Sequence, residues 1–344
     1  MIEYAKIKAA AVQAAPVYLD LDRSVEKACS LIKEAAAKGA DLIGFPDSFL
    51  CGYPWWLRRV GLRHDYYARV YENAVTVPSE ALAEISKCAR ENKIYVCIPA
   101  TELEIVTLFL TQFWFDDKGN MLGKHRKLKP DPLERSVWCD GDGSTMEVFD
   151  TPIGRLGGLL SSEHLNPMEL ATLAAQGEQV HIASWTVAPN VRRSMESRNV
   201  VETASVFTSV SNQCYTVSST QIITQEMLDI CFDNDPNLTK LLPTSKDPAG
   251  LLGSGYANIY DMDGYPLCEN LPHDQEGILI AELDLNKLKQ TKMTLDTTGH
   301  YAKGRCLYIT CDRTPAKAVH FIGGKSNNSI SYSALQSEKG GDQQ

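Results

Sequence analysis

A strand–helix–strand unit within the first 47 residues limits the fold more than any other feature of this chain. Residues 6–13 (KIKAAAVQ) and 41–47 (DLIGFPD) are short apolar runs typical of buried strands. Between them apolar residues recur at helical spacing, with Asp22 predicted as the N-cap and Gly39 at the C-terminal end. A helix joining two such strands predicts a right-handed crossover between parallel strands, and hence an α/β protein.

Further strand and helix signals continue this pattern along the chain. The predicted strands are 94–100, 179–185, 214–220 and 277–283, the predicted hairpins cover 106–126 and 144–160, and the predicted helices follow Ser79 and cover 190–208. Residues 221–253, rich in Asp, Pro, Asn and Thr, are predicted to be a long surface excursion, and residues 323–344 a disordered tail. We therefore predict one α/β domain at 1–322, with a mixed sheet system covered by helices on its outer faces.

Composition excludes several classes of partner. The chain of 344 residues carries a net charge of −9, which argues against nucleic acid or an anionic membrane as the main partner. No apolar run approaches the roughly 20 residues that span a bilayer, and the start, MIEYAKIKAAAVQ, lacks the basic region and cleavage site of a signal peptide. Ten cysteines occur without CxxC or His–Cys clusters. We expect reduced thiols, a cytoplasmic location, and neither a metal nor another cofactor.

The first polar segment at a strand end is GFPDSFLCGYPWW (44–56). Asp47 comes directly after the second apolar strand, where α/β enzymes commonly place a general base. The alternative is that its carboxylate only caps the following loop. Cys51 is the only thiol close to Asp47 in sequence, and we do not expect it to be a nucleophile.

The second segment, GKHRKLKPDPLERSVWCDGDGS (123–144), contains five cations and then Glu134. A lysine at a strand end can stabilise an oxyanion, and Glu134 could position it or act as a second base. Taken alone, a run of charges more often forms a solvated basic face.

The third segment, RLGGLLSSEHLNP (155–167), places Ser161 between an apolar strand and a helix predicted to begin near Asn166. Ser161 could be a nucleophile supported by Glu163 and His164, although a serine before a helix is more often a cap. Together the three segments supply a carboxylate, an ammonium and a hydroxyl, which suffice for acyl-transfer chemistry.

In this order the segments resemble the nitrilase branch of the carbon–nitrogen hydrolase superfamily, over about residues 6–320. Residues 123–144 are the most specific match, whereas TTGHYAKG (297–304) lacks the RPD that follows GHY in the family. The resemblance implies an α-β-β-α sandwich in a single domain. It also implies self-association into dimers or longer spiral oligomers.

The resemblance also implies roles for single residues. The family triad is a Glu base, a Lys that stabilises the tetrahedral intermediate, and a Cys that attacks the nitrile carbon. Lys127 corresponds to that Lys and Glu134 to a second, supporting Glu, whereas Asp47 stands where the family has its Glu and Ser161 where it has its Cys. An aspartate is one methylene shorter, and a hydroxyl is much less acidic than a thiol of pKa near 8.5.

What this substitution implies for function has more than one answer. The first is a hydrolase that converts a nitrile to a carboxylic acid and ammonia, with weak or altered activity. The second is an inactive relative, natural or engineered, that serves in binding or assembly. The third is an enzyme whose chemistry does not pass through a thioester.

The residues that would meet a small nitrile or related acyl substrate are also open to two interpretations. The apolar pocket would be lined by Tyr53, Trp55 and Trp185, with Glu163 and His164 beside them. The aromatic residues are equally expected from ordinary packing in the core.

Overall fold

The computed structural model describes residues 3–58, 61–186, 197–231, 252–304 and 306–316. Contacts within the chain divide it into a compact unit at 1–314 and a second at 315–344, of which only residues 315 and 316 are described. The tail predicted at 323–344 lies outside the described residues. Its disorder and the domain end at 322 therefore stay predictions.

The described part of the first unit contains strands, α-helices and short 3₁₀ turns. The strands are β1 Lys6–Ala14, β2 Leu42–Gly44, β3 Tyr95–Glu104, β4 Thr107–Phe115, β5 Met121–Arg126, β6 Phe149–Thr151, β7 Gly154–Leu160, β8 Val180–Trp185, β9 Tyr215–Gln221, β10 Asn258–Tyr260 and β11 Gly277–Asp284. The α-helices are α1 Leu21–Ala37, α2 His64–Glu72, α3 Glu80–Asn92, α4 Pro167–Ala174, α5 Arg198–Asn212, α6 Gln225–Cys231 and α7 Leu288–Thr294. The 3₁₀ turns are Trp55–Arg58, Glu134–Ser136, Gly143–Thr145, Ser161–Leu165 and Leu285–Lys287.

The strands hydrogen-bond in the order β5-β4-β3-β2-β1-β9-β8-β7-β6, with β10 beside β9 and β11 beside β1. The connection between β1 and β9 is narrow, because β1 pairs with β9 only at residues 13–14. By contrast β1 pairs with β11 along residues 6–13. The network therefore consists of two half-sheets joined at the end of β1, one containing β1–β5 and β11, and the other β6–β10.

Successive side chains of β1 pack on opposite faces of its half-sheet, which shows why the half-sheets stack. Ala9 and Ala11 belong to the apolar cluster between the half-sheets, which also contains Trp114 and Ile182. Ala10 and its neighbour Val12 face the other way, into a cluster with α1 and α3. Helices α4 and α5 cover the opposite half-sheet. The layers run helix, sheet, sheet, helix, which confirms the predicted α-β-β-α sandwich.

Several local predictions need correction. Helix α1 is capped by Asp20, whose side chain accepts a hydrogen bond from the Arg23 N–H at 3.0 Å, so Asp22 lies in the first turn instead. The predicted excursion at 221–253 is wrong at its start, because α6 buries Met227 and Leu228 there. Residues 232–251 lie outside the described part. Strand β10 and helices α2 and α7 were not predicted, since each has ten residues or fewer and a weak periodic signal.

Two buried serines tie the end of β2 to the opposite half-sheet. Ser219 donates to the carbonyl of Gly44 at 2.7 Å, and Ser184 donates to the carbonyl of Phe45 at 2.8 Å. Ser184 in turn accepts from the Gln112 side-chain amide at 2.9 Å. Buried hydrogen bonds of this kind restrict a strand end to one position, because leaving the groups unpaired is costly. The loop that follows β2 is thus fixed against strands of the other half-sheet.

No helix in the described ranges is both long and apolar enough to cross a lipid bilayer.

The close approach of the half-sheets at Gly44 makes a testable prediction. A Cβ added at this position would lie 2.8 Å from Cγ2 of Ile182. Gly44→Ala should therefore destabilise the protein by about 1–3 kcal/mol through overpacking, measured by urea denaturation. Gly304→Ala is the matched control, because nothing lies within 4 Å of a Cβ there. The cost should be non-additive with Ile182→Ala, and strict additivity would argue against this contact as the cause.

Candidate active site

Asp47 is held on the loop after β2 by its backbone as well as by its side chain. The amide of Gln221, the last residue of β9, donates to the Asp47 carbonyl at 3.3 Å. The indole N–H of Trp55 donates to the other end of that amide at 3.1 Å. Trp55 therefore positions the loop through Gln221. Because every one of these groups is buried, the carboxylate of Asp47 has a defined place.

Ser161 follows β7 directly and begins the 3₁₀ turn Ser161–Leu165. Its φ of +44° lies in the left-handed region, which is uncommon for a residue other than glycine. Its hydroxyl donates to Oδ2 of Asp47 at 2.5 Å and accepts from the backbone N–H of Thr186 at 3.3 Å. The strained backbone thus directs Oγ at the Asp47 carboxylate, between the ends of β2, β7 and β8.

Lys127 is buried with its counter-ion rather than exposed. Its Nζ donates to Oε2 of Glu134 at 2.7 Å, and both side chains are inaccessible to solvent. The backbone N–H of Asp131 donates to the same carboxylate oxygen at 2.8 Å. His125 is also buried, so a solvated basic face does not describe this segment. Burying an ion pair costs desolvation energy, which makes the arrangement more typical of a functional site than of a stabilising one.

Asp47 and the Lys127–Glu134 pair interact electrostatically. The pKa of Asp47 is raised to about 7: burial is the largest cause and the carboxylates of Glu134 and Glu163 add to it, whereas Lys127 and the Ser161 hydrogen bond oppose the rise. For Lys127 burial acts to lower the pKa, but the carboxylates of Glu134 and Asp47 outweigh it, so its pKa is raised and the ammonium persists. The structure therefore brings together a carboxylate that titrates near neutral pH, a hydroxyl and a permanent cation.

Glu163 connects the strand ends that carry these groups. Its carboxylate accepts from the N–H of Leu160 at 2.8 Å and from the N–H of Leu128 at 2.7 Å. It also pairs with Nε2 of His125 at 2.9 Å. Burial acts to raise the pKa of Glu163, but His125 and the two N–H donors outweigh it, so the pKa of Glu163 is lowered. Burial acts to lower the pKa of His125, but Glu163 outweighs it, so the pKa of His125 is raised. Glu163 thus holds the ends of β5 and β7 together through hydrogen bonds.

His164 and Trp185 lie behind Ser161. The Nδ1 of His164 is 2.8 Å from the Ser161 carbonyl, and its ring stacks on Trp185 at a centroid distance of 4.6 Å. The indole of Trp185 donates to Ser205 of α5 at 3.2 Å and packs with α5. The contacts of Trp185 are therefore those of a core residue under the helix layer. Tyr53 packs 5.9 Å from Trp138, between ring centroids.

Two further residues contact the site without having been predicted. Thr186 immediately follows β8, so the same strand-end argument that found Asp47 would have found it. Asp131 accepts from the Ser162 hydroxyl at 2.7 Å, a contact between segments 31 residues apart that no local pattern reveals. Cys51 is fully buried, and burial raises the pKa of its thiol to about 12, which is unfavourable for a nucleophile.

Some buried oxygen atoms at the site make no hydrogen bond to the described residues. Oδ1 of Asp47, Oε1 of Glu134 and Oγ1 of Thr186 are buried and have no hydrogen-bond partner there. No group of three His, Cys, Asp or Glu side chains in the described ranges is arranged to hold a metal ion. A hydroxyl bonded to a carboxylate beside a fixed cation can add to an electrophilic carbon, with the cation offsetting the charge that develops.

Comparisons with known proteins agree with this architecture. The model of the carbon–nitrogen hydrolase family matches residues 8–293. A nitrilase of Bacillus sp. (strain OxB-1) is 39% identical over 98% of this chain and 97% of its own. An aliphatic nitrilase of Rhodococcus rhodochrous is 33% identical over 95% of this chain and 85% of its own. The C. elegans NitFhit protein superimposes with a TM-score of 0.69 at 16% identity, over 92% of this chain and 70% of that one, and it supports the fold alone.

The family model covers most of the unit that carries the site, and the similarity to the two nitrilases extends over almost the whole chain. The chain belongs to the carbon–nitrogen hydrolase family, and its relatives are nitrilases.

Proposed function

We propose that this protein hydrolyses a nitrile to a carboxylic acid and ammonia, slowly compared with relatives that use a thiol. Ser161 is the nucleophile, Asp47 the general base, Lys127 the cation that stabilises the intermediate, and Glu134 the residue that holds Lys127. The single observation that carries the proposal is the 2.5 Å hydrogen bond from Ser161 Oγ to Asp47 Oδ2. It supplies the nucleophile–base contact that hydroxyl activation requires.

The reaction can be written with groups of this chain and water. Oγ of Ser161 forms a bond to the nitrile carbon, while its proton passes to Asp47 and then to the nitrile nitrogen, which gives an imidate ester. Water then adds with Asp47 as the base, and loss of ammonia leaves an acyl ester. A second water releases the acid and restores Ser161. Lys127 offsets the negative charge that develops at each addition.

The slow rate follows from the two substituted positions. A hydroxyl is a much weaker acid than a thiol, so less of the nucleophile is activated at neutral pH. An aspartate also reaches one methylene less far than a glutamate, and a displacement near 1 Å can cost on the order of 10²-fold in rate.

The choice of product depends on which group leaves when the tetrahedral intermediate collapses. Ammonia is a better leaving group than the alkoxide of Ser161. We therefore expect acid rather than amide as the product.

The buried Lys127–Glu134 pair favours an enzyme over one of the alternatives, an inactive binding protein. A pair with no exposure is costly to desolvate, and apolar side chains of the same size would stabilise a scaffold as well. We propose Tyr53 and Trp55 as neighbours of an apolar substrate, with Trp185, Glu163 and His164 behind them. The name of the Rhodococcus relative makes aliphatic nitriles the first class to assay.

We also propose a cytoplasmic location.

We further propose that the protein self-associates through the face of α4 and α5. This face exposes Leu165, Met168 and Phe207, of which Leu165 and Phe207 line a groove of about 450 Å³ beside His164. Exposed apolar side chains grouped in this way are typical of protein–protein contacts. Residues 221–253, which the resemblance to the family also suggests as a contact region, are described only at 221–231 and 252–253.

Restoring the base and the nucleophile tests the catalytic proposal. The double variant Asp47→Glu/Ser161→Cys should release ammonia from nitriles at least about 100-fold faster than the parent, because base reach and nucleophile acidity both return. Neither single change should suffice, since residues that act as one unit are strongly non-additive. Ammonia release from aliphatic and aryl nitriles is measured beside the intact protein mass.

Ser161→Ala is the control for that comparison, since it removes the nucleophile and keeps the fold. The proposal fails if the double variant folds like the parent yet releases no ammonia and forms no covalent adduct. An adduct on Ser161 of the parent would support slow turnover through an ester.

The raised pKa of Asp47 predicts a pH-dependent stability. Because the folded pKa of about 7 exceeds the unfolded value near 3.9, the folded state binds more protons between these values, and stability falls as pH rises through that window. Asp47→Asn should remove this loss, worth on the order of a few kcal/mol. The variant should gain stability over the parent at pH 8 and not at pH 4, by thermal unfolding. A gain independent of pH would contradict it.

The self-association proposal makes a separate prediction. Phe207→Glu places a charge in the centre of the α4–α5 face, where desolvation in a contact would be costly. The parent should be at least a dimer at micromolar concentration by light scattering, and the variant should shift towards the monomer. Tyr265→Glu, at another exposed aromatic residue, is the control and should leave the mass unchanged. A monomeric parent would refute the proposal.

A further inference from the structure

A chain of buried polar side chains runs from the Ser161 carbonyl to helix α5. The Nδ1 of His164 lies 2.8 Å from the Ser161 carbonyl, and its Nε2 lies 2.9 Å from Nε2 of His181 on β8. The Nδ1 of His181 lies 2.8 Å from Oε1 of Glu178. The side-chain amide of Asn212, at the end of α5, donates to Oε2 of Glu178 at 3.2 Å. The catalytic proposal uses none of Glu178, His181 and Asn212.

Counting donors and acceptors along this chain determines where its protons lie. A carbonyl only accepts, so Nδ1 of His164 must carry a hydrogen, and in a neutral ring Nε2 then accepts. Nε2 of His181 must therefore be the donor to it. The Nδ1 of His181 faces a carboxylate oxygen, so a second hydrogen is needed on that side as well. The chain is satisfied when His181 is an imidazolium paired with a Glu178 carboxylate.

The surroundings of Glu178 fit an anion built into the core. The side chains of Glu178 and His181 have no exposure, so their charges are desolvated and must be matched to each other. Asn212 is held by a second hydrogen bond to the Leu170 carbonyl at 3.0 Å, which directs its amide at Glu178. Gly157 lies on β7, and a Cβ there would be 2.3 Å from Oε1 of Glu178. A glycine at position 157 therefore leaves room for this carboxylate.

We infer that His181 and Glu178 are positioning residues for the nucleophile: they hold His164 in the one neutral tautomer that donates to the Ser161 carbonyl, and so maintain the left-handed turn that directs Oγ at Asp47. The need for such support follows from the φ of +44° at Ser161, because a residue with a side chain occupies this region only when its surroundings fix it.

Stacking on Trp185 fixes the plane of the His164 ring, and burial with the His181 charge lowers the pKa of His164 to about 3, which keeps it neutral. The inference rests on the proposed role of Ser161 as nucleophile. The state of the chain itself does not depend on turnover.

The first test reads the protons directly. The protein has seven histidines, and selective ¹⁵N labelling with solid-state NMR shows which ring nitrogens carry hydrogen whatever the size of the assembly. His181→Phe and His164→Phe assign the two signals. We expect His181 protonated at both nitrogens and His164 only at Nδ1. In Glu178→Gln, His181 should lose its Nδ1 hydrogen, while His164 stays unchanged. A bare Nε2 on His181, or a hydrogen on Nε2 of His164, in the parent would overturn the inference.

The second test reads positioning without hydrolysis. In the Ser161→Cys background, alkylation of the introduced thiol by iodoacetamide is followed by peptide mass spectrometry. His181→Phe should slow it about tenfold, because the turn that directs the sulfur at Asp47 relaxes. Glu178→Leu should do the same, whereas Glu178→Gln should restore most of the rate, since its amide can donate to His181 Nδ1 and preserve Nε2–H. His300→Phe, on the exposed surface, is the matched control.

These outcomes separate the inference from the proposed function. An unchanged alkylation rate in a folded His181→Phe protein would refute positioning, even if nitriles are hydrolysed. Expected NMR and alkylation results together with no nitrile turnover in any variant would refute the hydrolase proposal and leave the positioning intact. Where turnover is measurable, loss of positioning should lower kcat with KM nearly unchanged.

Discussion

The carboxylate of Glu163 is the contact on which the site depends. It accepts hydrogen bonds from the chain at Leu160, at the end of β7, and at Leu128, just beyond β5. These strands lie in different half-sheets, so one buried anion joins the two layers at the point where each supplies a functional group. The hydrogen bond from the Ser162 hydroxyl to Asp131 is a second link between the turn that carries Ser161 and the segment that carries Lys127. Paired with His125, the Glu163 anion is also matched in charge.

The sandwich sets the electrostatics of this site. Because both half-sheets are covered by helices, the ends of β2, β5 and β7 meet in a volume from which solvent is excluded, and every charge there must be matched. Lys127 is matched by Glu134, whereas the pKa of Asp47 is raised to about 7, because burial outweighs the opposing effects of Lys127 and the Ser161 hydrogen bond. A carboxylate poised in this range suits a base, because it can accept and return a proton near neutral pH.

The helix layer contributes more than cover. Asn212 of α5 directs Glu178, and Glu178 through two histidines reaches the carbonyl of Ser161. The exposed face of the same layer carries the apolar side chains proposed for self-association. We thus assign two roles to one layer: the proposed self-association on its outer side and the proposed support of Ser161 on its inner side.

Local patterns were sufficient for much of the fold. The strands at 6–14, 95–104, 180–185 and 277–284 and the Ser79 cap of α3 agree with prediction, since apolar runs and capping residues are local signals. Prediction failed at short elements: α6 has only seven residues, and a segment that short is too small to show periodicity. Asp20 rather than Asp22 became the cap of α1 because two acidic residues stand within one turn, and geometry selects between them.

The sequence by itself determined the α/β class, the family through its three motifs, and Asp47, Lys127, Glu134 and Ser161 as the candidate catalytic residues. Only the tertiary structure decided how they meet: that Ser161 bonds Asp47, that Lys127 is buried with Glu134, and that Glu163 serves as a link between layers. It alone revealed Glu178, His181 and Asn212 as one chain. The physical reason is that residue type and spacing set what a side chain can do, whereas partners 31 to 114 residues apart are chosen by packing of the two half-sheets.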